Sequence, residues 1–249
     1  MYTEVIFRPA GLAGQRIYPE QAREIVAKAL DGVAANPLLF NRDANGRTLN
    51  VTIGHIKDGR GWGAAPSIVY DGGLGFIRIY GIGQTGSDVL QEETTKIFSA
   101  LMKAHGITAV EMKRGKAEIE FTGHATLHRI RRLVVGKKPG AFYNDPITDD
   151  RIQSAIRRHI VGGLFTQADL IGGQMEGRVP LEDDIDILEG RPTKAVIIDK
   201  GLGVSAYQDL VIAMPIRLKG PWLAGHLRSR GYGMIRAVDP TRETRGAQA

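Results

Sequence analysis

Apolar and polar positions follow two rhythms along this chain, and their order predicts its elements. Thr3 to Arg8, "TEVIFR", reads as a strand. Pro19 opens a helix, because proline is preset for the first helical turn and Ile25, Val26, Ala29, Leu30 and Val33 recur at helical spacing. Pro37 is expected to end it. Leu49 to Ile56, "LNVTIGHI", alternates like a strand, a glycine-rich stretch follows at Gly59, Gly61 and Gly63, and a further strand, "FIRIYGI", starts at Phe76. Asp88 and Gln91 resemble a capping box, so the next helix is expected from Asp88, with Leu90, Ile97, Phe98, Leu101 and Met102 as its apolar stripe. Gly106 stops it, and "ITAVEMKRGKAEIEF" reads as a strand and a hairpin.

That order, β-α-β-β-α-β, then recurs. His124 to Val135 reads as a strand. Residues 148–165 form a helix with Thr148 as N-cap and acids in its first turn. "TKAVIID" and "YQDLVIAMPIRL" give two strands, and "YGMIRAV" gives the last. The stretch before it, "GPWLAGHLRSRGYGMI", takes the place of the second helix. The fold class expected is α+β: two tandem ferredoxin-like (RRM-like) βαββαβ domains with a C-terminal glycine-rich loop. Element order alone sets the division at residues 1–118 and 119–249.

Charge sharpens the picture. The chain has 249 residues, a net charge of +6 and no cysteine, with a pI near 9.6. Without cysteine there is no disulfide framework, thiolate metal site or cysteine nucleophile, which fits a reducing cytoplasm. No apolar run approaches the roughly 18 residues of a membrane span, and the first residues lack a signal-peptide pattern. The positive surplus is clustered in the second half. "HRIRRLVVGKK" carries Arg129, Arg131, Arg132, Lys137 and Lys138 without an acid. The helix carries Arg151, Arg157, Arg158 and His159. From Arg217 to Arg245 seven cations, Lys219, Arg228 and Arg230 among them, face only Asp239 and Glu243. "LEDDIDILE" at 181–189 is the acidic counterweight. Clustered cations repel unless a polyanion or acidic neighbours compensate, so nucleic acid is the expected partner and binding should weaken steeply with salt.

Three other chemistries are weighed and set aside. Gly81 to Gly86 matches GxGxxG, the dinucleotide fingerprint, with Glu111 about 25 residues on. Against it, Arg78 and Tyr80 suggest a half-exposed strand, no series of βαβ units follows, and the helix is expected only from Asp88. The six histidines show no zinc spacing, and His124 and His128 share a strand face too far apart for one ion. No Ser-His-Asp arrangement stands out. The glycine-rich loop is different: its glycines permit close backbone approach to a phosphate, Arg228 and Arg230 add charge, and Tyr232 or Trp222 offers a ring to a base.

That loop carries a resemblance. "LAGHLRSRGYGMI" resembles the glycine-rich loop of the RAMP superfamily of CRISPR-associated proteins, which leads into the last strand of a second ferredoxin-like domain. The closing Gly231-Tyr232-Gly233 matches; the start, Gly225-His226-Leu227, lacks the usual second glycine. The nearest family is the one that cuts CRISPR repeat transcripts into guide RNAs, and the chain looks like a divergent branch of it, with type IV systems as the candidate. The resemblance implies a metal-independent endoribonuclease without a cofactor. In such an enzyme a ribose 2′-hydroxyl attacks the adjacent phosphate, leaving a 2′,3′-cyclic phosphate and a 5′-hydroxyl. Many members of that family supply a histidine after the first strand. Here residues 9–35 contain none; they hold Arg16, Tyr18, Arg23 and Lys28. Arginine is a poor proton carrier but a strong phosphate clamp. The catalytic candidates are therefore Arg16, Tyr18, Arg23, Arg42, His55 as acid or base, and Arg242 returning from the tail. The RNA-binding candidates are the basic strand and helix with Lys219 and the loop residues Gly225, His226, Arg228, Arg230, Gly231, Tyr232 and Gly233. Expected partners are a CRISPR repeat stem-loop and other effector subunits, with no membrane. The alternatives are a non-catalytic RAMP-type RNA-binding subunit and, behind it, a dinucleotide-cofactor enzyme built on Gly81–Gly86.

Overall fold

The computed structural model describes residues 1–42, 44–45, 65–136, 145–172, 179–198 and 202–238. The expected strand at 49–56, the glycines at 59–63, His55, Arg47, Lys137, Lys138 and Arg242 lie outside the described residues.

Each unit has a four-strand antiparallel core. In the first, β1 (Tyr2–Pro9), β2 (Ile68–Gly73), β3 (Phe76–Ile82) and β4 (Ile107–Gly115) form a sheet in the order β2-β3-β1-β4. In the second, β5 (Glu118–Val134), β6 (Asp186–Ile198), β7 (Leu202–Lys219) and β9 (Met234–Ala237) repeat that order, and the two-residue β8 (Trp222–Leu223) adds an outer edge beside β9. Among the described residues the α-helices are α1 (Pro19–Ala29), α2 (Gly83–His105) and α3 (Asp150–Ile171). The expected double βαββαβ order is therefore present, with the glycine-rich loop where the second unit would place its second helix.

Several boundaries differ from expectation for physical reasons. The strand before β3 is Ile68–Gly73, buried along most of its length; its apolar run is too short to show a period. Helix α1 stops at Ala29, capped by Leu30, and Pro37 opens a short 3-10 turn instead, Pro37–Phe40. Helix α2 starts at Gly83, not Asp88, with Asp88 accepting from Gln84 Nε2 at 2.8 Å inside the helix. Helix α3 is capped by Asp149, not Thr148: its carboxylate accepts from the Arg151 backbone at 2.8 Å. Strand β5 begins at Glu118, and a bulge between Phe121 and Thr126 sends His124 to solvent and His128 inward, so the two do not share a face.

The first unit packs Val5, Phe7, Ile77 and Ile79 against Val26, Leu90, Ile97 and Leu101 of its helices. The second packs Ile130, Leu133, Leu210 and Ile212 against Ile152, Ile156, Ile160 and Leu164 of α3. A third cluster joins the units: Val69, Tyr80 and Ile82 of the first meet Leu223 and Met234 of the second. Burying one such apolar side chain contributes about 1.5–3 kcal/mol. An ion pair reinforces the contact, since Arg236 on β9 binds Asp71 on β2, whose side chain is only 6% exposed.

The fingerprint at Gly81–Gly86 does not form a phosphate cradle. A Cβ on Gly81 would lie 2.2 Å from the Gly86 carbonyl oxygen, and one on Gly86 would lie 2.2 Å from that of Ser67. These glycines let β3, α2 and the chain before β2 pack backbone to backbone. The strand before them is also not half exposed, since Tyr80 is buried. Among the described residues every pairing in this sheet is antiparallel, unlike the parallel dinucleotide fold.

Candidate nucleic-acid interface

The candidate site lies where α1 and β2 of the first unit meet the glycine-rich loop and β5 of the second. Arg23, on α1, donates from Nη2 to the Phe40 carbonyl at 2.6 Å. That carbonyl ends the 3-10 turn Pro37–Phe40, and Asn41 in the left-handed region then turns the chain into Arg42. Tyr70 on β2 ties the same turn down by donating its hydroxyl to the Leu39 carbonyl at 2.9 Å. Burial holds the Arg23 pKa below its usual value; the like charges of Arg230 and Arg42 push the same way, and Tyr70 partly offsets them. Arg23 therefore feels one further guanidinium group from its own unit and one from the other, which is unfavourable until an anion joins them.

The loop that brings Arg230 there is built on positive-φ glycines. Leu223 runs into Gly225, the 3-10 turn Arg228–Arg230 follows, and Gly231 closes it with φ +80°. A Cβ on Gly231 would meet the Tyr70 carbonyl oxygen at 1.9 Å; on Gly225, that of Val134 at 2.6 Å; on Gly233, that of Ala224 at 1.8 Å. The space beside these glycines holds protein backbone. They allow the loop to lie on β2 and β5, which corrects the expectation of open backbone facing a phosphate. Tyr232 and Trp222 are likewise not stacking surfaces, being 3% and 0% exposed. The Arg132 guanidinium lies 5.8 Å over the Tyr232 ring, and burial followed by the Glu20 charge pushes the Tyr232 hydroxyl up to about 12. Arg228 turns inward, donating to Thr166 Oγ1 of α3 at 2.8 Å, and burial pushes it down to about 10.

Strand β5 lines the other side. Arg131 lies over the Tyr18 ring at 5.2 Å, Arg132 lies 3.6 Å from Glu20, and Arg129 pairs in register with Arg236. The strand expected only to grip RNA thus stands beside the α1 residues expected to act on it. Arg16 is exposed and bridges to Leu74. His226 sits at the loop's start with its ring 4.6 Å from that of His159.

Other candidates divide. Arg158 is exposed on α3, with no hydrogen bond or ion pair among the described residues. Arg157 is committed elsewhere: it donates to the Ile185 carbonyl at 2.9 Å and so holds the acidic segment against α3. Arg151 closes on Asp149 at 2.8 Å and Lys219 on Glu118 at 3.3 Å. Sequence reasoning missed Glu20, Asp71 and Tyr70. Glu20 carries no signal beyond that of a first-turn acid, and Asp71 and Tyr70 lie in the strand Ile68–Gly73. Among the described residues no group of three or more metal-ligating side chains occurs.

Residues 6–240 match the family described as type IV CRISPR-associated endonuclease Csf5. The chain belongs to this family. Among the solved structures that share the fold are three Cas6 proteins. One is described as "Csf5, CRISPR-Cas type IV Cas6 crRNA endonuclease" and matches with a TM-score of 0.66 at 20% identity. A Cas6b structure matches at 0.59 and 14%, and a CRISPR RNA processing endoribonuclease Cas6b at 0.52 and 12%. In each case the match covers 96% of this chain and 100% of the other. No curated protein matches by sequence. Within the Csf5 family frame, the glycine-rich loop and the double ferredoxin-like order are where the resemblance placed them, while the loop's glycines serve packing.

Proposed function

We propose that this Csf5-family chain is a metal-independent endoribonuclease that binds a CRISPR repeat stem-loop, cuts it into guide RNA and stays bound to the product. The observation that carries the reading is that the turn bearing Arg230 packs against α1 of the other unit, and that Arg23 on α1 feels the charges of both Arg230 and Arg42. In-line attack puts extra negative charge on the phosphate: the 2′-oxygen bonds to phosphorus as the bond to the 5′-oxygen breaks. One proton leaves the 2′-hydroxyl and one reaches the 5′-oxygen. Preorganised guanidinium groups stabilise that charge, and a single such donor is typically worth about 10²–10³ in rate. The first unit, residues 1–118, supplies Arg16, Arg23 and Arg42. The second, 119–249, grips the backbone through Arg129, Arg131, Arg132 and Arg158, and A-form RNA is held by such rows of cations through its shape. His55 and Arg242 complete the set proposed from the sequence.

A second reading, an RNA-binding subunit without cleavage, has one observation in its favour. Among the described residues, the groups acting electrostatically on Arg23 are Tyr70, Arg230 and Arg42, and none is a histidine. One experiment separates the two. The purified chain is incubated with end-labelled repeat RNA in chelator. A discrete cut with a 2′,3′-cyclic phosphate end is expected. RNA that stays bound and intact would favour the binding subunit, and a cut abolished by chelator would remove metal independence.

A further inference from the structure

Base stacking was expected from Tyr232 or Trp222, and both are buried. Tyr18 and Phe121 are the exposed aromatic side chains among the described residues, at 37% and 58%. Only Tyr18 has a cation over its ring, the Arg131 guanidinium at 5.2 Å. The pair spans the two units, with Tyr18 at the N-cap of α1 and Arg131 on β5. Both ends are anchored. The Tyr18 backbone N–H donates to Gln21 Oε1 at 2.9 Å, and Pro19 fixes the next residue. Arg132, beside Arg131, lies 3.6 Å from Glu20 in the first turn of the same helix. That helix carries Arg23 in its second turn, so the ring stands on the element that also carries the half-buried arginine of the site.

The geometry points to a nucleobase-stacking subsite: the open face of Tyr18, backed by Arg131, holds one unstacked base of single-stranded RNA beside the arginine cluster. This rests on the repeat-RNA reading. A phosphate alone needs cations and gains nothing from a ring. Bases within a duplex already stack on one another, whereas a base splayed out of a helix seeks a flat π surface. A ring fixed by its backbone and faced by a planar cation is such a surface, prepaid in side-chain entropy. Tyr18 thereby moves from the catalytic candidates to substrate binding, through its ring and not its hydroxyl.

The test uses the full chain and repeat RNAs carrying a single 2-aminopurine, moved one nucleotide at a time across the cut. The expected result is quenching at one position with the unsubstituted protein. Tyr18→Ala restores the fluorescence there and weakens RNA binding roughly five- to hundredfold, the span of one base–aromatic stack. Tyr18→Phe recovers most of that loss. An abasic nucleotide at the quenched position weakens binding to the unsubstituted protein by a similar factor and costs Tyr18→Ala nothing more. The proposal is overturned if Tyr18→Ala keeps the quench and the affinity, if Tyr18→Phe is as impaired as Tyr18→Ala, or if the abasic and Tyr18→Ala losses add in full. The RNA end is followed in the same samples. Quenching that depends on Tyr18 in an RNA left uncut removes the nuclease reading and supports the stack, while a cut without such quenching does the reverse.

Discussion

Two glycine-rich segments occupy equivalent places in their units. One joins β3 to β4 and becomes α2, a helix of 23 residues that buries Val89, Leu90, Ile97 and Leu101. The other joins β7 to β9 and makes only β8 and a three-residue 3-10 turn. The cause is local. Segment 83–105 has helical periodicity once past its opening glycines. Segment 220–233 has Pro221 and four glycines, at 220, 225, 231 and 233, all with positive φ, and a helix cannot run through left-handed residues. Giving up the helix frees the loop to cross to the other unit, where Gly231 lies on Tyr70 and Arg230 joins Arg23. In both segments glycines that read as phosphate cradles are filled by protein backbone. A glycine motif in a sequence reports close approach; what approaches is decided by the fold.

The strongest way to break this comparison is chemical. If the loop exists to bring a cation to the first unit, Arg230→Ala should slow repeat-RNA cleavage about 10²–10³-fold, and Arg23→Ala at least as much. The double variant should fall well short of the product of the two, because both act on one charge. Single-turnover rates at saturating protein measure this. Full additivity would separate Arg230 from Arg23 and undo the idea of a shared cluster.

Next comes stability. Gly14 and Gly231 both have φ above +70°, but a Cβ on Gly14 meets nothing within 4 Å, while one on Gly231 meets Tyr70 O at 1.9 Å. Gly14→Ala should cost about 1 kcal/mol, the left-handed strain alone. Gly231→Ala adds a backbone clash and should cost about 3 kcal/mol or more. Denaturant midpoints with unchanged slopes compare them. Equal losses would mean that the loop does not press on β2.

Much of this frame was legible in the sequence. The β-α-β-β-α-β order, its repetition and the place of the loop follow from periodicity and from punctuation by Pro19, Gly106 and the terminal glycines. Arg23 is a candidate because residues 9–35 hold arginines and no histidine, and Arg42 because it lies nearby in sequence. What was not legible is contact at long range. Nothing local in "GYG" says that Tyr232 is buried against Arg132 and Glu20, or that Arg228 turns under α3 while the charge of Arg230 reaches Arg23. Strand β2 was missed because a short, wholly buried run has no alternation to detect.

The same division applies to adjacent cations on α3. Arg157 is spent on the Ile185 carbonyl and Arg158 faces solvent. Arg158→Ala should weaken repeat-RNA binding about two- to fivefold, with a shallower salt dependence and unchanged stability. Arg157→Ala should do the opposite, costing about 1 kcal/mol of stability with a smaller change in salt slope. Exchange of the two phenotypes would reverse the assignment.

The smallest effect separates the leading strands. Strand β1 buries Val5 and Phe7, whereas β5 buries His128 at an equivalent depth. Its Nδ1 lies 3.1 Å from the Thr126 carbonyl, and its Nε2 is buried with no hydrogen-bond partner among the described residues. The carbonyl accepts, so Nδ1 carries the proton in the neutral ring. Desolvation lowers the folded-state pKa, with the Thr126 carbonyl partly opposing it. The unfolded chain, with a histidine pKa near 6.5, therefore takes up its proton first as pH falls. Stability is fully present above about pH 6.5 and is lost below it, down to the folded-state pKa. His128→Leu removes this slope and leaves that of the other histidines. Between about pH 7.5 and pH 5, the wild-type denaturation midpoint should fall further than that of His128→Leu. Parallel curves would mean that His128 is protonated in the folded protein, and that β5 tolerates a charge at a depth where β1 places Val5 and Phe7.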